Sequence, residues 1–249
     1  MTVRIAAVGD VHVGTDTDGR LREGWLEIGE CADLLLLAGD LTRVGVPAEV
    51  DCLLAELDVV NVPVVAVLGN HDHHAGQAAV MVERLRAEGV HVLEGGSAEF
   101  AVDGMRVGVA GVKGFGGGFP GASASDFGEP EMKRFVRHTK AAARRLERSL
   151  RRLTSDVRVA LTHYSPVPET LAGEPLEIYP FLGSYLLAEA IDRAGADLAI
   201  HGHAHRGSTH GLTPGGIRVR NVAQPVIGAP FCVFEFARTG LRIGASRPA

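Results

Sequence analysis

The chain has 249 residues, 46% hydrophobic and 22% charged, with a formal charge of −5 at pH 7. That size and balance fit a globular α/β protein with a sizeable core and exclude wholesale disorder. Three cysteines, Cys31, Cys52 and Cys232, without a CxxC spacing exclude a thiolate zinc site or a disulfide framework.

The first ninety residues repeat one theme. The apolar runs Val3–Val8, Leu34–Ala38 and Val64–Leu68 end in Gly9-Asp10, Gly39-Asp40 and Gly69-Asn70. They are rich in Val, Ile and Leu and do not alternate, which predicts strands buried on both faces. The stretches between and after them, Leu21–Glu30, Pro47–Leu57 and Gln77–Glu88, carry helical spacing, and Pro47 suits a first helical position. Asp10, Asp40 and Asn70 are thirty positions apart, the size of a βαβ unit, so the opening third reads as a parallel layer.

Short strands follow at Val90–Leu93, Ala98–Val102 and Arg106–Ala110, the last two joined by the hairpin signal Asp103-Gly104. A glycine-rich loop at Gly111–Gly128 lacks the Lys-Ser/Thr helix start of a phosphate cradle. Glu131–Leu153 is the longest predicted helix, with an apolar stripe of Met132, Phe135, Val136, Ala143, Leu146, Leu150 and Leu153. Next come a strand at Asp156–Leu161, a loop at Ser165–Pro180, a helix at Phe181–Arg193 and a strand at Leu198–Ile200. The tail is β-rich at Ile217–Val219, Phe231–Phe236 and Leu241–Ile243. No linker divides the chain, and residues 1–249 read as one domain. The opening run meets Asp10 too early for a secretory leader, and no window approaches 18 apolar residues. The expectation is a cytoplasmic protein without a membrane partner.

Polar clusters follow five of the strand-like runs: Asp10-Val11-His12, Asp40, Asn70-His71-Asp72, His163 and His203-Ala204-His205. Ligand sites of open α/β sheets form at the carboxyl ends of strands, so the clusters should converge. Imidazole and carboxylate without thiolate suit divalent Mn, Fe, Zn or Co. Asp10, His12, Asp40, Asn70, His163, His203 and His205 are too many ligands for one ion with an open position, but fit two ions sharing a carboxylate. Two such ions form the clamp used for in-line displacement at phosphorus.

Asp10-x-His12, Gly39-Asp40, Gly69-Asn70-His71-Asp72, His163 and Gly202-His203-x-His205 together resemble the motif set of the calcineurin-like metallophosphoesterases, in the family's order. The resemblance implies an α/β fold, a β-sandwich flanked by helices in four layers (α/β/β/α). It implies one metal held by Asp10, His12, Asp40 and His205, and another by Asp40, Asn70, His163 and His203, with Asp40 bridging. The implied reaction is hydrolysis of a small phosphate ester, diester rather than monoester, by in-line attack of a metal-bridging hydroxide. His71 would contact the phosphate or protonate the leaving oxygen, and Asp72 would orient His71. Mn or Fe are the leading metals, with Zn or Co next.

His73 and His74 read as solvated loop residues, and His201 as a packing residue or one placed behind the ligands. The Glu131–Leu153 helix carries nine basic residues, among them Arg144, Arg145 and Arg148. A stripe guiding nucleic acid to the metals, as in a nuclease, is one reading, and a solvated face is the other; the lack of interleaved aromatics beyond Phe135 favours the second. A non-catalytic scaffold of the same fold is the remaining alternative, and the intact His71 and full ligand set speak against it.

Overall fold

The computed structural model describes residues 1–237 and 240–242. In chain order the strands are β1 (Thr2–Val8), β2 (Leu34–Ala38), β3 (Val64–Val67), β4 (His91–Val92), β5 (Gly96–Val102), β6 (Met105–Val112) and β7 (Gly118–Phe119). They continue with β8 (Ala122–Ser123), β9 (Val157–Thr162), β10 (Leu198–His201), β11 (His210–Leu212), β12 (Arg218–Asn221), β13 (Cys232–Ala237) and β14 (Gly240–Arg242). The helices are α1 (Arg22–Trp25), α2 (Ile28–Cys31), α3 (Pro47–Leu57), α4 (Ala78–Ala87), α5 (Pro130–Arg152), α6 (Tyr179–Leu182), α7 (Tyr185–Ala194) and α8 (Gln224–Ile227).

Among the described residues two six-stranded sheets form, ordered β14-β13-β1-β2-β3-β4 and β11-β12-β10-β9-β6-β5. Strands β1 to β4 are mutually parallel, as are β6, β9, β10 and β12, with antiparallel partners at the outer edges. Side-chain alternation sorts each central strand into two faces. Val3, Ile5, Ala7, Leu34 and Leu36 meet Val107, Val109, Val159 and Leu161 between the sheets. The opposite face of the first sheet, with Ala6, Val8, Leu35 and Leu37, packs on Val50, Leu53, Met81 and Leu85 of α3 and α4. Ala110, Ala160 and Ala199 of the second sheet pack on Leu146 and Leu150 of α5 and on Leu187 and Ile191 of α7. The result is the expected four layers, helices outside and sheets within.

The sequence pattern does not mark β11 or α8, and the predicted elements differ from the observed ones in four further places. Leu21–Glu30 forms two short helical pieces, because Leu21, Trp25 and Ile28 must all reach the core while Gly24 and Gly29 weaken a continuous helix. The helix expected at Phe181–Arg193 is broken at Gly183, and Ser184 caps α7 by accepting from Leu186 N–H. The loop Gly111–Gly128 contains the small β7-β8 hairpin. The stripe of α5 is buried from Val136 onward, but Met132 is 42% exposed. The Asp103-Gly104 hairpin turn forms as expected, with φ of 43° and 71°. In the tail, Ile243 lies outside the described residues.

Among the described residues no helix is long and apolar enough to cross a membrane. On α5, Arg134 pairs with Glu131, Arg151 with Glu147 and Lys140 with Asp126, so acidic neighbours interrupt the basic face.

Candidate metal centre

The ends of β1, β2, β3, β9 and β10 deliver the expected residues to one edge of the sandwich. The first two segments beyond the strands are stitched together by Asp10 N–H donating to Gly39 O at 2.9 Å and His12 N–H to Asp40 O at 3.1 Å. Asp10, His12, Asp40 and His203 all adopt left-handed backbone, with φ of 58°, 44°, 48° and 72°. Each such non-glycine residue costs about 1–3 kcal/mol and persists only where the surroundings enforce it. Two glycines let the segments close in. A Cβ at Gly69 would overlap the Asp40 carboxylate, and one at Gly202 would overlap that of Asp10.

The side chains form two groups that share Asp40. Ligand-capable atoms of Asp10, His12, Asp40 and His205 lie within 4.8 Å of one another, as do those of Asp40, His163 and His203. Asn70 joins the second group, its Oδ1 2.9 Å from His163 Nε2, which is 3.3 Å from Asp40 Oδ1. In the first, His205 Nε2 is 2.9 Å from Asp10 Oδ1 and 3.5 Å from His12 Nε2. All seven residues proposed from the sequence as ligands are thus brought together.

The donor chemistry fits divalent cations. His163 Nδ1 bonds the Ala38 carbonyl at 2.9 Å, which leaves Nε2 bare and turned to Asp40. His203 Nε2 bonds the Phe181 carbonyl at 3.3 Å, which leaves Nδ1 as the free donor. Burial pushes His12 down to about 4 and His163 and His203 well below the usual imidazole range, which suits these rings to bind a cation as neutral imidazoles. Burial, reinforced by Asp40, pushes Asp10 up to about 6 despite its bond to His205. The bond to Asp10 in turn raises His205. Buried carboxylates short of positive charge beside neutral imidazoles are the setting a dication relieves.

Asp72 corrects one expectation. Its carboxylate does not orient His71. It is fully buried and accepts from Leu41 N–H at 3.1 Å, Thr42 N–H at 2.8 Å, Thr42 Oγ1 at 2.7 Å and Gly69 N–H at 2.7 Å. It therefore clamps the turn that carries Asp40 to the turn that carries Asn70. Burial raises it to about 7 against those donors. His71 is positioned instead by the Arg43 carbonyl, 2.8 Å from its Nδ1, and its Nε2 lies 3.9 Å from Asp40 Oδ2.

His201 is buried behind the site, bonded to Gly202 O at 2.7 Å and Thr170 Oγ1 at 2.8 Å, and His73 and His74 are exposed. Sequence reasoning missed the orienting carbonyls of Ala38, Phe181 and Arg43, which no side-chain pattern marks. It also missed Lys113, whose ammonium lies 5.0 Å from the Tyr164 ring centroid and 5.1 Å from that of Phe115. A lone lysine directly after the buried strand β6 was the available signal.

The family model for calcineurin-like phosphoesterases matches residues 3–207. The chain belongs to that family. A probable cyclic nucleotide phosphodiesterase of Synechococcus is 35% identical over 83 residues, 29% of this chain and 32% of that protein. The match thus spans about a third of the curated relative's length. Among solved structures, the phosphopantetheinyl hydrolase of Mycobacterium tuberculosis superposes with TM-score 0.60 at 16% identity, covering 88% of each chain. A putative 5'-nucleotidase of Staphylococcus aureus does so with TM-score 0.61 at 17% identity, over 98% of this chain and 53% of that one. At these identities the structural likeness establishes the fold alone, and the family model is one of phosphoesterases.

Proposed function

We propose that this chain is a two-metal phosphodiesterase working within a single domain, residues 1–249. The observation that carries the reading is a pair of donor groups sharing Asp40, with His71 Nε2 3.9 Å from the same carboxylate. Asp10, His12, Asp40 and His205 would hold one ion, and Asp40, Asn70, His163 and His203 the other; the donor set favours Mn or Fe, then Zn or Co. When bound, the ions supply Lewis acidity to a phosphoryl oxygen and acidify water.

The chain's own residues do the rest. His71, held through Nδ1 by the Arg43 carbonyl, turns Nε2 over the shared carboxylate. From Nε2 it would donate to a phosphate oxygen and pass a proton to the departing oxygen. Asp72 is a positioning residue that holds the Asp40 and Asn70 turns in register. Lys113 adds positive potential beside the His163 and His203 half of the site, which favours an anionic ester. Preference for a diester is supported by the intact histidine of Gly69-Asn70-His71-Asp72 and by the partial match to the Synechococcus protein.

The test removes metals with a chelator, restores Mn, Fe, Zn or Co singly, and compares bis(p-nitrophenyl) phosphate, p-nitrophenyl phosphate, cyclic nucleotides and short DNA. Metal-restored hydrolysis led by a diester is expected. Faster monoester turnover would overturn the diester preference, and no hydrolysis with any metal would overturn the enzyme reading.

A further inference from the structure

The apolar stripe of α5 leaves the core at its N-terminal end. Met132 and Phe135 emerge there and, with Ala122, Ala124, Pro180 and Phe181, line a cavity of about 600 Å³ between the β7-β8 hairpin, α5 and α6. Phe181 is 61% exposed. The volume falls within the range of about 300–1,000 Å³ usual for small-molecule sites.

Two independent connections tie this cavity to the metal centre. Phe181 lines it while its own carbonyl, 3.3 Å from His203 Nε2, orients that ring. Aromatic rings form the second route. Tyr164 lies 4.4 Å from the His203 ring, Phe115 lies 5.9 Å from Tyr164, and Phe135 lies 5.0 Å from Phe115. A chain of packed aromatic rings therefore runs from a proposed ligand to the cavity.

We propose that the cavity receives one ester arm of the phosphodiester substrate, and that this arm is apolar, an alkyl or aryl group. The proposal rests on the phosphoesterase reading above. The polar side chains lining the cavity are Ser123 and Glu131, and the Glu131 carboxylate is engaged by Arg134 at 2.7 Å. A nucleobase would bury donors and acceptors here without a matching set of partners, at a cost that an apolar arm avoids.

The experiment uses the metal-loaded full chain and p-nitrophenyl phosphodiesters whose second arm runs from methyl to hexyl. Each methylene removed from water is worth up to about fourfold, so kcat/KM should rise roughly tenfold or more across the series. In Met132→Glu, and separately in Ala122→Glu, the hexyl-to-methyl ratio should fall to about one; both residues are exposed, so the fold tolerates the change. In parallel, a neutral naphthylamine dye should fluoresce on the parent protein, be displaced by hexyl methyl phosphate and fail to bind Met132→Glu. Hydrolysis independent of chain length, or dye binding indifferent to these substitutions, would overturn the proposal and leave the phosphoesterase reading intact. No hydrolysis of any ester, with the dye still displaced only by the hexyl compound, would overturn the phosphoesterase reading and leave the apolar subsite standing.

Discussion

On either side of Asp40 the candidate metal centre is built by different means. The Asp10, His12 and His205 half depends on a charged side-chain contact, with His203 N–H also donating to the Asp10 carboxylate at 2.9 Å. The His205 side chain is 41% exposed and keeps its place through the 2.9 Å contact to Asp10. The His163 and His203 half is held by scaffold: His163 is fully buried, His203 packs beside Tyr164, and each ring is fixed by a main-chain carbonyl. Charge-assembled groups rearrange when the charge balance changes, whereas carbonyl-oriented buried rings stay preorganised. The second half should therefore keep its ion longer under chelation, and the substrate arm should lie on that side.

The largest effect should come from the residue both halves share. Asp40→Asn should cost about a thousandfold or more in turnover, the scale of metal-based charge stabilisation, and lower metal content in both positions. Activity within tenfold of the parent, by initial rates on an aryl diester, would remove Asp40 from the centre. His71→Ala should leave both halves loaded and lower kcat by about a hundredfold or more, the usual range for a lost proton donor. Metal analysis and rates on one preparation check this, and loss of an ion would make His71 structural instead. Gly202→Ala sets the comparison against itself. The added methyl meets the Asp10 carboxylate, so the charge-held half should lose its ion and turnover should fall by about ten- to a hundredfold, as for displaced supporting contacts.

The smallest effect concerns the packing behind the centre. Burial pushes His201 down to about 4, below the 6.5 of the exposed ring. The unfolded chain therefore binds the proton more readily, so this contribution is complete above pH 6.5 and is lost as pH falls toward 4. At pH 5 the loss is on the order of 2 kcal/mol. His201→Asn should flatten that dependence, as read by urea unfolding of the chelator-treated protein at pH 7 and pH 5. An unchanged difference between the two pH values would contradict it.

The parallel layer was legible because strands buried on both faces lose their alternation and helices intervene at fixed spacing, as from Val3–Val8 to Asp40 and on to Asn70. The seven polar residues at strand ends were legible for the same reason, since strand ends are where an α/β fold collects them. What stayed hidden depends on tertiary closeness. The role of Asp72 rests on N–H groups of Leu41 and Thr42, some thirty residues away, and those of Ala38 and Phe181 on carbonyls that every residue type carries. The start of the α5 stripe misled because apolar spacing marks a face but not what covers it, so Met132 read as core and lies at a cavity mouth.

The central claim is that two ions share one carboxylate, and metal stoichiometry by mass spectrometry under non-denaturing conditions addresses it most directly. The parent should carry two divalent ions per chain, and His163→Ala should carry one. A parent that binds a single ion, or a His163→Ala protein that still binds two, would contradict the account.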